Sequence, residues 1–301
     1  TRVQKIYRLM DKINKDHKDE ILKIIFNHTK KILGGKISVV FYDITTLHYE
    51  SSDEDDLRKI GYSKAGKFNH PQILLAFIVG EKGYPFSYEI FEGNKFEGHT
   101  LLPALKRISK KFSLPQATVV ADSAMLSKDN LDLLEKKGYE YIIGARIKNE
   151  TETIKQKILK TELNKDSLLE IKKETGRRLI ISYSDKRARK DVHNRKKGIK
   201  KLKKRIESGK LTKKQINNRG YNKFLNLKGE IDISLDEEKI IEDKKWDGLK
   251  GYLTNSDLPN KKIIKNYSHL WQIEKAFRIS KTDLLIRPIH HYKKERIKAH
   301  I

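Results

Sequence analysis

Ile37-Ser-Val-Val-Phe-Tyr-Asp43 is a run of β-branched and aromatic residues that closes on a carboxylate. That composition predicts a buried strand over residues 36–49. Desolvating a carboxylate costs on the order of several kcal/mol unless it is paired or bound to a metal. Asp43 therefore needs a reason to be where it is. Ala117-Thr-Val-Val-Ala-Asp122 repeats the arrangement, an apolar run ending in an acid just before a break at Ser123.

The segments around these runs alternate between the helical and the extended period. Residues 17–33 predict a helix with Ile21, Leu22, Ile25 and Ile32 as one apolar stripe, ended by Gly34-Gly35. Ile73 to Val79 and Pro85 to Phe91 flank Gly80-Glu-Lys-Gly83 and predict a hairpin. Thr100 to Lys110 reads as a helix with Leu101, Leu102, Leu105 and Ile108 inward. Ser127 caps a second helix, Lys128 to Lys137, and Tyr139-Glu-Tyr-Ile-Ile-Gly144 is a fifth strand. The order is strand, hairpin, helix, strand, helix, strand. The expected fold is α/β, a five-stranded mixed sheet flanked by helices. A ribonuclease-H-like sheet has this order, three antiparallel strands and then two reached through helices. A doubly wound nucleotide-binding sheet would need a glycine-rich phosphate loop, and none follows Asp43 or Asp122.

Beyond Arg146 the character changes. Asn149 to Lys165 is polar and helical, Leu179-Ile-Ile-Ser-Tyr183 is a short strand, and Lys186 to Arg219 holds sixteen Lys or Arg against Asp191 and Glu207. Short strand-like runs follow near Ile231-Asp-Ile-Ser234 and Leu249-Lys-Gly-Tyr-Leu-Thr254. The expected organisation is a helical segment over 1–35, a core in two parts over 36–146 and 246–301, and a large basic insertion over 147–245 before the last helix. Arg296-Ile-Lys-Ala-His-Ile301 reads as a helix still running, so the expectation is a fragment of a longer protein.

The 301 residues carry 66 Lys and Arg against 40 Asp and Glu, a formal net charge of +26, which points to a polyanionic partner. Cysteine is absent, which excludes disulfides, thiol catalysis and thiolate metal sites. No apolar run approaches the roughly 20 residues that a bilayer-spanning helix needs, and the opening residues do not read as a signal peptide.

Tyr267-Ser-His-Leu-Trp-Gln-Ile-Glu274-Lys-Ala-Phe-Arg278-Ile-Ser-Lys281 predicts one amphipathic helix, with Tyr267, Glu274, Arg278 and Lys281 in register at intervals of seven, four and three. Glu274 would face Asp43 and Asp122 from this helix. Three hard oxygen ligands with no histidine or cysteine suit Mg²⁺ or Mn²⁺. Two such ions about 4 Å apart activate an attacking oxygen and stabilise a leaving one. Taken alone, each aspartate reads more readily as a cap and Glu274 as one half of a surface pair. Together, in a strongly basic chain, they suggest metal-dependent chemistry on a nucleic acid backbone.

The chain resembles the catalytic domain of a DDE insertion-sequence transposase, of the bacterial group with a Tyr, Arg, Glu, Lys helix signature. In that family the signature runs Tyr, two residues, Arg, three residues, Glu, six residues, Lys. Tyr267, Glu274 and Lys281 match the frame, while Leu270 occupies the Arg position and Arg278 offers a guanidinium one turn beyond the glutamate. Tyr42-Asp-Ile-Thr-Thr46, Gly61-Tyr-Ser-Lys64, Val120-Ala-Asp122 and Ile273-Glu-Lys-Ala-Phe-Arg278 carry the likeness further, over nearly the whole chain. The resemblance implies that Asp43, Asp122 and Glu274 hold two divalent ions in a ribonuclease-H-like fold. It implies cleavage at transposon ends, then attack of the freed 3′-hydroxyl on target DNA. It implies a homodimer on paired double-stranded ends, in a cytoplasmic, nucleoid-associated setting, with Tyr267 and Lys281 positioning terminal phosphates; Arg278 is a candidate for the same role from its place on the helix alone.

Lys200, Lys201, Lys203 and Lys204 in the insertion, and Lys64 and Lys67 in the loop after the first strand, are the further candidates for phosphate contact. His48 and His99 read as ordinary polar residues, Trp271 as core, and Trp246 as packed rather than stacked on a base. The competing functions are a structure-dependent nuclease on the same fold, which cuts without joining, and an inactive DNA-binding remnant. An RNA substrate is disfavoured because no stacking module appears.

Overall fold

A computed structural model of the chain describes residues 2–64, 66–112, 117–125, 127–209, 211, 216–217, 220–228 and 232–301. The chain divides into two compact units. One contains the residues up to Ala145, Glu174–Arg178 and Tyr252–Ile301; the other contains Arg146–Lys173 and Leu179–Gly251.

The first unit opens with helices α1 (Arg2–Lys12) and α2 (Lys18–Ile32), joined through a wide π-type turn at Ile13–His17. Strands β1 (Val39–His48), β2 (Gln72–Gly80) and β3 (Pro85–Glu92) follow, then α3 (Leu101–Phe112), β4 (Thr118–Ala121), α4 (Lys128–Lys136) and β5 (Tyr141–Ala145). The strands lie in the order β3-β2-β1-β4-β5. β1 to β3 pair antiparallel, while β4 and β5 join parallel to β1 and to each other. Parallel neighbours need a crossover, and α3 and α4 supply the two. The result is an α/β fold with a mixed sheet flanked by helices, consistent with the ribonuclease-H-like arrangement. β2 is buried along its whole length, as a strand covered on both faces must be, and its sequence is accordingly a continuous apolar run. The predicted cap holds: the Ser127 hydroxyl accepts from the Asn130 amide at 3.2 Å.

Four expectations need correction in this unit. The sheet does not stop at the fifth strand, because Tyr252–Thr254 run beside β5. There the Thr254 hydroxyl donates to the Tyr141 carbonyl, and Asn255 accepts from the Tyr141 amide at 2.9 Å. This extension covers an edge that would otherwise leave backbone groups unpaired. In α2 the buried stripe is Leu22, Phe26 and Thr29, with Ile21 and Ile25 exposed. Phe26 decides that rotation by stacking on Phe112 at 4.4 Å and meeting Phe86 edge-on at 5.7 Å. In α3, Ala104 is buried where Leu102 was expected.

The fourth correction concerns the Tyr267–Lys281 stretch, which is two helices rather than one: Asn260–Ser268 and Trp271–Arg278, with Lys281 in a further π-type turn at Ile279–Asp283. The first helix buries Ile263 and Tyr267, and the second buries Ile273, Ala276 and Phe277. A straight helix would have carried Leu270, Trp271 and Glu274 round to the Tyr267 face. The turn at His269–Leu270 instead re-aims the chain so that Phe277 stacks on Phe77 of β2 at 4.6 Å. Trp271 is left 54% exposed, so it is not core.

In the second unit a long helix, Asp185–Glu207, starts at the Ser184 cap. Its thin apolar stripe is sufficient because Leu202 enters a small core with Phe224, Leu225 and Ile240, while Ile199 and Ile206 pack at its margin. Arg195, buried on the same face, grips the Asp247 carboxylate with both terminal guanidinium nitrogens. The strand Leu168–Lys172 was not anticipated, since Leu-Leu-Glu-Ile-Lys is too short and too charged to stand out. The predicted helix Asn149 to Lys165 is limited to Glu152–Lys160. Leu225–Lys228 and Asp232–Leu235 pair antiparallel. Ile231 of the expected strand and residues 210, 212–215 and 218–219 of the basic stretch lie outside the described residues. Trp246 is half-buried in a turn. Among the described residues no helix is long and apolar enough to cross a membrane.

Candidate active site

The parallel register of β1 on β4 pairs Tyr42 with Ala121, so Asp43 and Asp122 are the next residues on neighbouring strands. Each spends one oxygen on the amide that follows it: Asp43 Oδ1 accepts from Ile44 N at 2.7 Å, and Asp122 Oδ1 from Ser123 N at 2.6 Å. Among the described residues, neither Oδ2 accepts a hydrogen bond. Burial pushes the Asp43 carboxyl up to about 6, against the pull of the Lys64 ammonium and the Ile44 amide, while Glu97 and Asp122 push it the same way as burial does. An acid in that position is short of positive charge.

Tyr267 lies 6% exposed and donates its phenolic hydrogen to Asp122 Oδ1 at 3.3 Å. Its ring meets Tyr252 edge-on at 5.1 Å. The structure thus brings Tyr267 to the second aspartate from inside the fold. Glu274 is exposed on its helix, and Arg278 is exposed beyond it. Among the described residues no three His, Cys, Asp or Glu side chains are grouped closely enough to hold a metal ion. The donor chemistry of the two adjacent aspartates nevertheless fits a hard divalent cation. Mg²⁺ commonly takes only one or two protein carboxylates and completes its shell with water and phosphate oxygens.

A basic depression of about 540 Å³ is lined by His48, Lys64, Lys67, Lys281 and Arg287, and the Lys64 and Lys281 charges in its wall act on Asp43. Alternate residues of a strand share a face, so Asp43 and Thr45 point the same way. The Lys281 ammonium donates to the Thr45 hydroxyl and therefore sits on the Asp43 side of the sheet. Lys281 is pushed down to about 8, first by burial and then by the Arg287 and Lys64 cations, with Asp43 pulling the other way. Lys64 folds back from its loop, donating to the Ile44 carbonyl at 2.7 Å and pairing with Glu97 at 2.9 Å. Lys67 reaches Glu50 at 3.5 Å. His48 contacts Glu50 at 3.3 Å, and burial holds its imidazole below the usual histidine range. Lys200, Lys201, Lys203 and Lys204 are exposed on the second unit's long helix.

Sequence reasoning missed Glu97 and Arg287. Glu97 has no local signature, because its role depends on a loop returning to β1. Arg287 had a faint one in Ile286-Arg-Pro-Ile289, a basic residue before proline between two apolar ones, a pattern that favours extended chain.

The model of the transposase DDE domain family matches residues 34–301. No curated protein matches the chain. Among solved structures the chain is similar to the piggyBac transposase synaptic complex with hairpin DNA, at 9% identity and a TM-score of 0.45, over 86% of this chain and 45% of that one. It is also similar to the Mos1 transposase paired-end complex with left transposon end, at 13% identity and a TM-score of 0.25, over 42% of each chain. The Mos1 mariner paired end complex with Mn gives 15% identity and a TM-score of 0.24, over 44% of this chain and 42% of that one. The chain spans less than half the length of each of these proteins.

Proposed function

Because the chain belongs to the family of the transposase DDE domain, we propose that it is the catalytic domain of a DNA transposase, of the bacterial group with the Tyr, Arg, Glu, Lys signature. The observation that carries this reading is the pairing of Asp43 with Asp122, one of them destabilised by burial and acted on by cations that line a depression. Asp43 and Asp122 would hold Mg²⁺ or Mn²⁺, with Glu274 as the third acid. Two ions bound there would supply Lewis-acid activation of an attacking oxygen and stabilisation of a leaving one.

The remaining work falls to the chain's own side chains. Tyr267 holds Asp122 in one orientation through its hydrogen bond. Lys281 and Lys64 place positive charge on the Asp43 side of the sheet, where a DNA phosphate can settle against the acids. Lys67 and Arg278 contact phosphates further out, and Lys200, Lys201, Lys203 and Lys204 add affinity without base recognition. The insertion over 147–245 carries that basic helix. The substrate is double-stranded DNA, both transposon ends and target, bound by a homodimer.

Single-turnover reactions on end-containing DNA with Mg²⁺ or Mn²⁺ test this reading, scoring strand cleavage and joining separately. Asp43→Asn and Asp122→Asn should each abolish cleavage while leaving duplex affinity in place. Parental cleavage by D43N would refute the assignment. Cleavage by the parent without joining would favour the structure-dependent nuclease.

A further inference from the structure

We propose that Arg287, with Lys281, forms a clamp for one DNA backbone phosphate beside Asp43, a role that falls to Arg287 rather than to Arg278. The proposal rests on the transposase reading above and deepens it.

The backbone on either side of Arg287 is anchored. The residue lies between buried Ile286 and Ile289. The Ile286 amide donates to the Ser280 carbonyl at 3.1 Å, and the Ile289 amide donates to the His48 carbonyl at 3.4 Å. Tyr49 and Ile289 form a parallel bridge, which lays this segment along the end of β1. A backbone anchored in this way delivers the Arg287 side chain to one place, so less chain freedom is lost when it meets an anion.

The charges around it are unevenly matched. Lys64 has Glu97, Lys67 has Glu50, and Lys281 has the neutral Thr45 hydroxyl. Half-buried Arg287 has no ion pair or hydrogen bond among the described residues. It nevertheless lines the same depression as Lys281 and repels it. Lys281 and Arg287 repel each other although Asp43 pulls on Lys281, and an anion that binds both cations stabilises the pair. A phosphate matches the guanidinium fork in a bidentate geometry that a lysine cannot reproduce. Arg278 is exposed on the helix Trp271–Arg278 and does not line the depression.

The test uses a fluorescently labelled duplex and anisotropy across a salt series, without metal, on the full chain. Arg287→Ala should weaken binding about tenfold, the loss expected for a charge-assisted contact. It should also lower the log–log salt slope by roughly one. R287K should restore the slope but only part of the affinity, and R278A should cost less than R287A. If R287A does not fold, as judged by its thermal transition, R287Q takes its place. Equal affinity and slope in the parent and the Arg287 variants would overturn the proposal while leaving the transposase reading intact. A larger loss in R278A would also overturn it. A parent that bound no duplex would overturn both. A separate thermal-shift arm uses inorganic phosphate. If phosphate raised the melting temperature through Arg287 while duplex affinity ignored that residue, the clamp would be a free-anion site and the proposal wrong.

Discussion

Tyr267 reaches Asp122 across the face of Gly144, and the absence of a side chain on that glycine permits the contact. The β4–β5 register places Gly144 beside Asp122, and a methyl at Gly144 would sit 2.4 Å from the Tyr267 phenolic oxygen. Gly144→Ala should therefore push the phenol off Asp122 and destabilise the fold by about 1–3 kcal/mol, the usual cost of overpacking. Tyr267→Phe keeps the ring and loses the hydrogen bond, so it should cost only about 1 kcal/mol. Denaturant melts of the two variants give the stabilities. Under this reading both variants also cleave more slowly than the parent, and parental cleavage in both would separate Tyr267 from the chemistry.

Asp43 should make the metal-free protein less stable as pH rises. Its carboxyl keeps a proton to about pH 6 in the fold, whereas an unfolded aspartate keeps one only to about 3.9. The folded state binds more protons within that window, so stability falls as pH rises through it. The penalty is complete above about pH 6 and amounts to no more than about 3 kcal/mol. Asp43→Asn removes it. Melting temperatures should coincide near pH 4 and diverge in favour of D43N at pH 7.5. Millimolar Mg²⁺ should raise the parent's value and leave that of D43N unmoved. Parallel pH curves would contradict this account.

Lys281 runs the other way. Its amine is charged only below about pH 8 in the free protein, and a bound phosphate favours the charged form. Duplex affinity should therefore fall as pH rises through about 8, with proton uptake on binding. Lys281→Arg should flatten that dependence, because a guanidinium does not titrate there. Lys281→Ala should reduce single-turnover cleavage far more than overall duplex affinity. A pH profile identical in the parent and K281R would exclude Lys281 as the titrating group.

Replacing Lys200, Lys201, Lys203 and Lys204 together by Ala should weaken specific and random duplexes alike. The salt slope should fall by roughly four if all four lysines meet phosphates. Their exposure, with Leu202 turned inward on the same helix, means that folding should be unaffected. An unchanged slope would mark the helix as a solvated charge run.

The order of strands and helices from β1 to β5, the two aspartates ending matched apolar runs and the basic character of the 186–219 stretch were all legible in the sequence. Local composition and period report them directly: β-branched runs need burial, and a carboxylate inside one stands out. The tertiary structure decided everything that depended on which surfaces meet. Phe26 rotated α2 by finding two rings. The need to lay Ile273, Ala276 and Phe277 on the sheet divided one predicted helix into two, turning Trp271 and Glu274 outward and Tyr267 inward. Arg287 enters the site because buried neighbours on either side tie its segment to the end of β1. No spacing rule reaches such contacts, since residues distant in sequence meet only where packing and backbone hydrogen bonds bring their elements together.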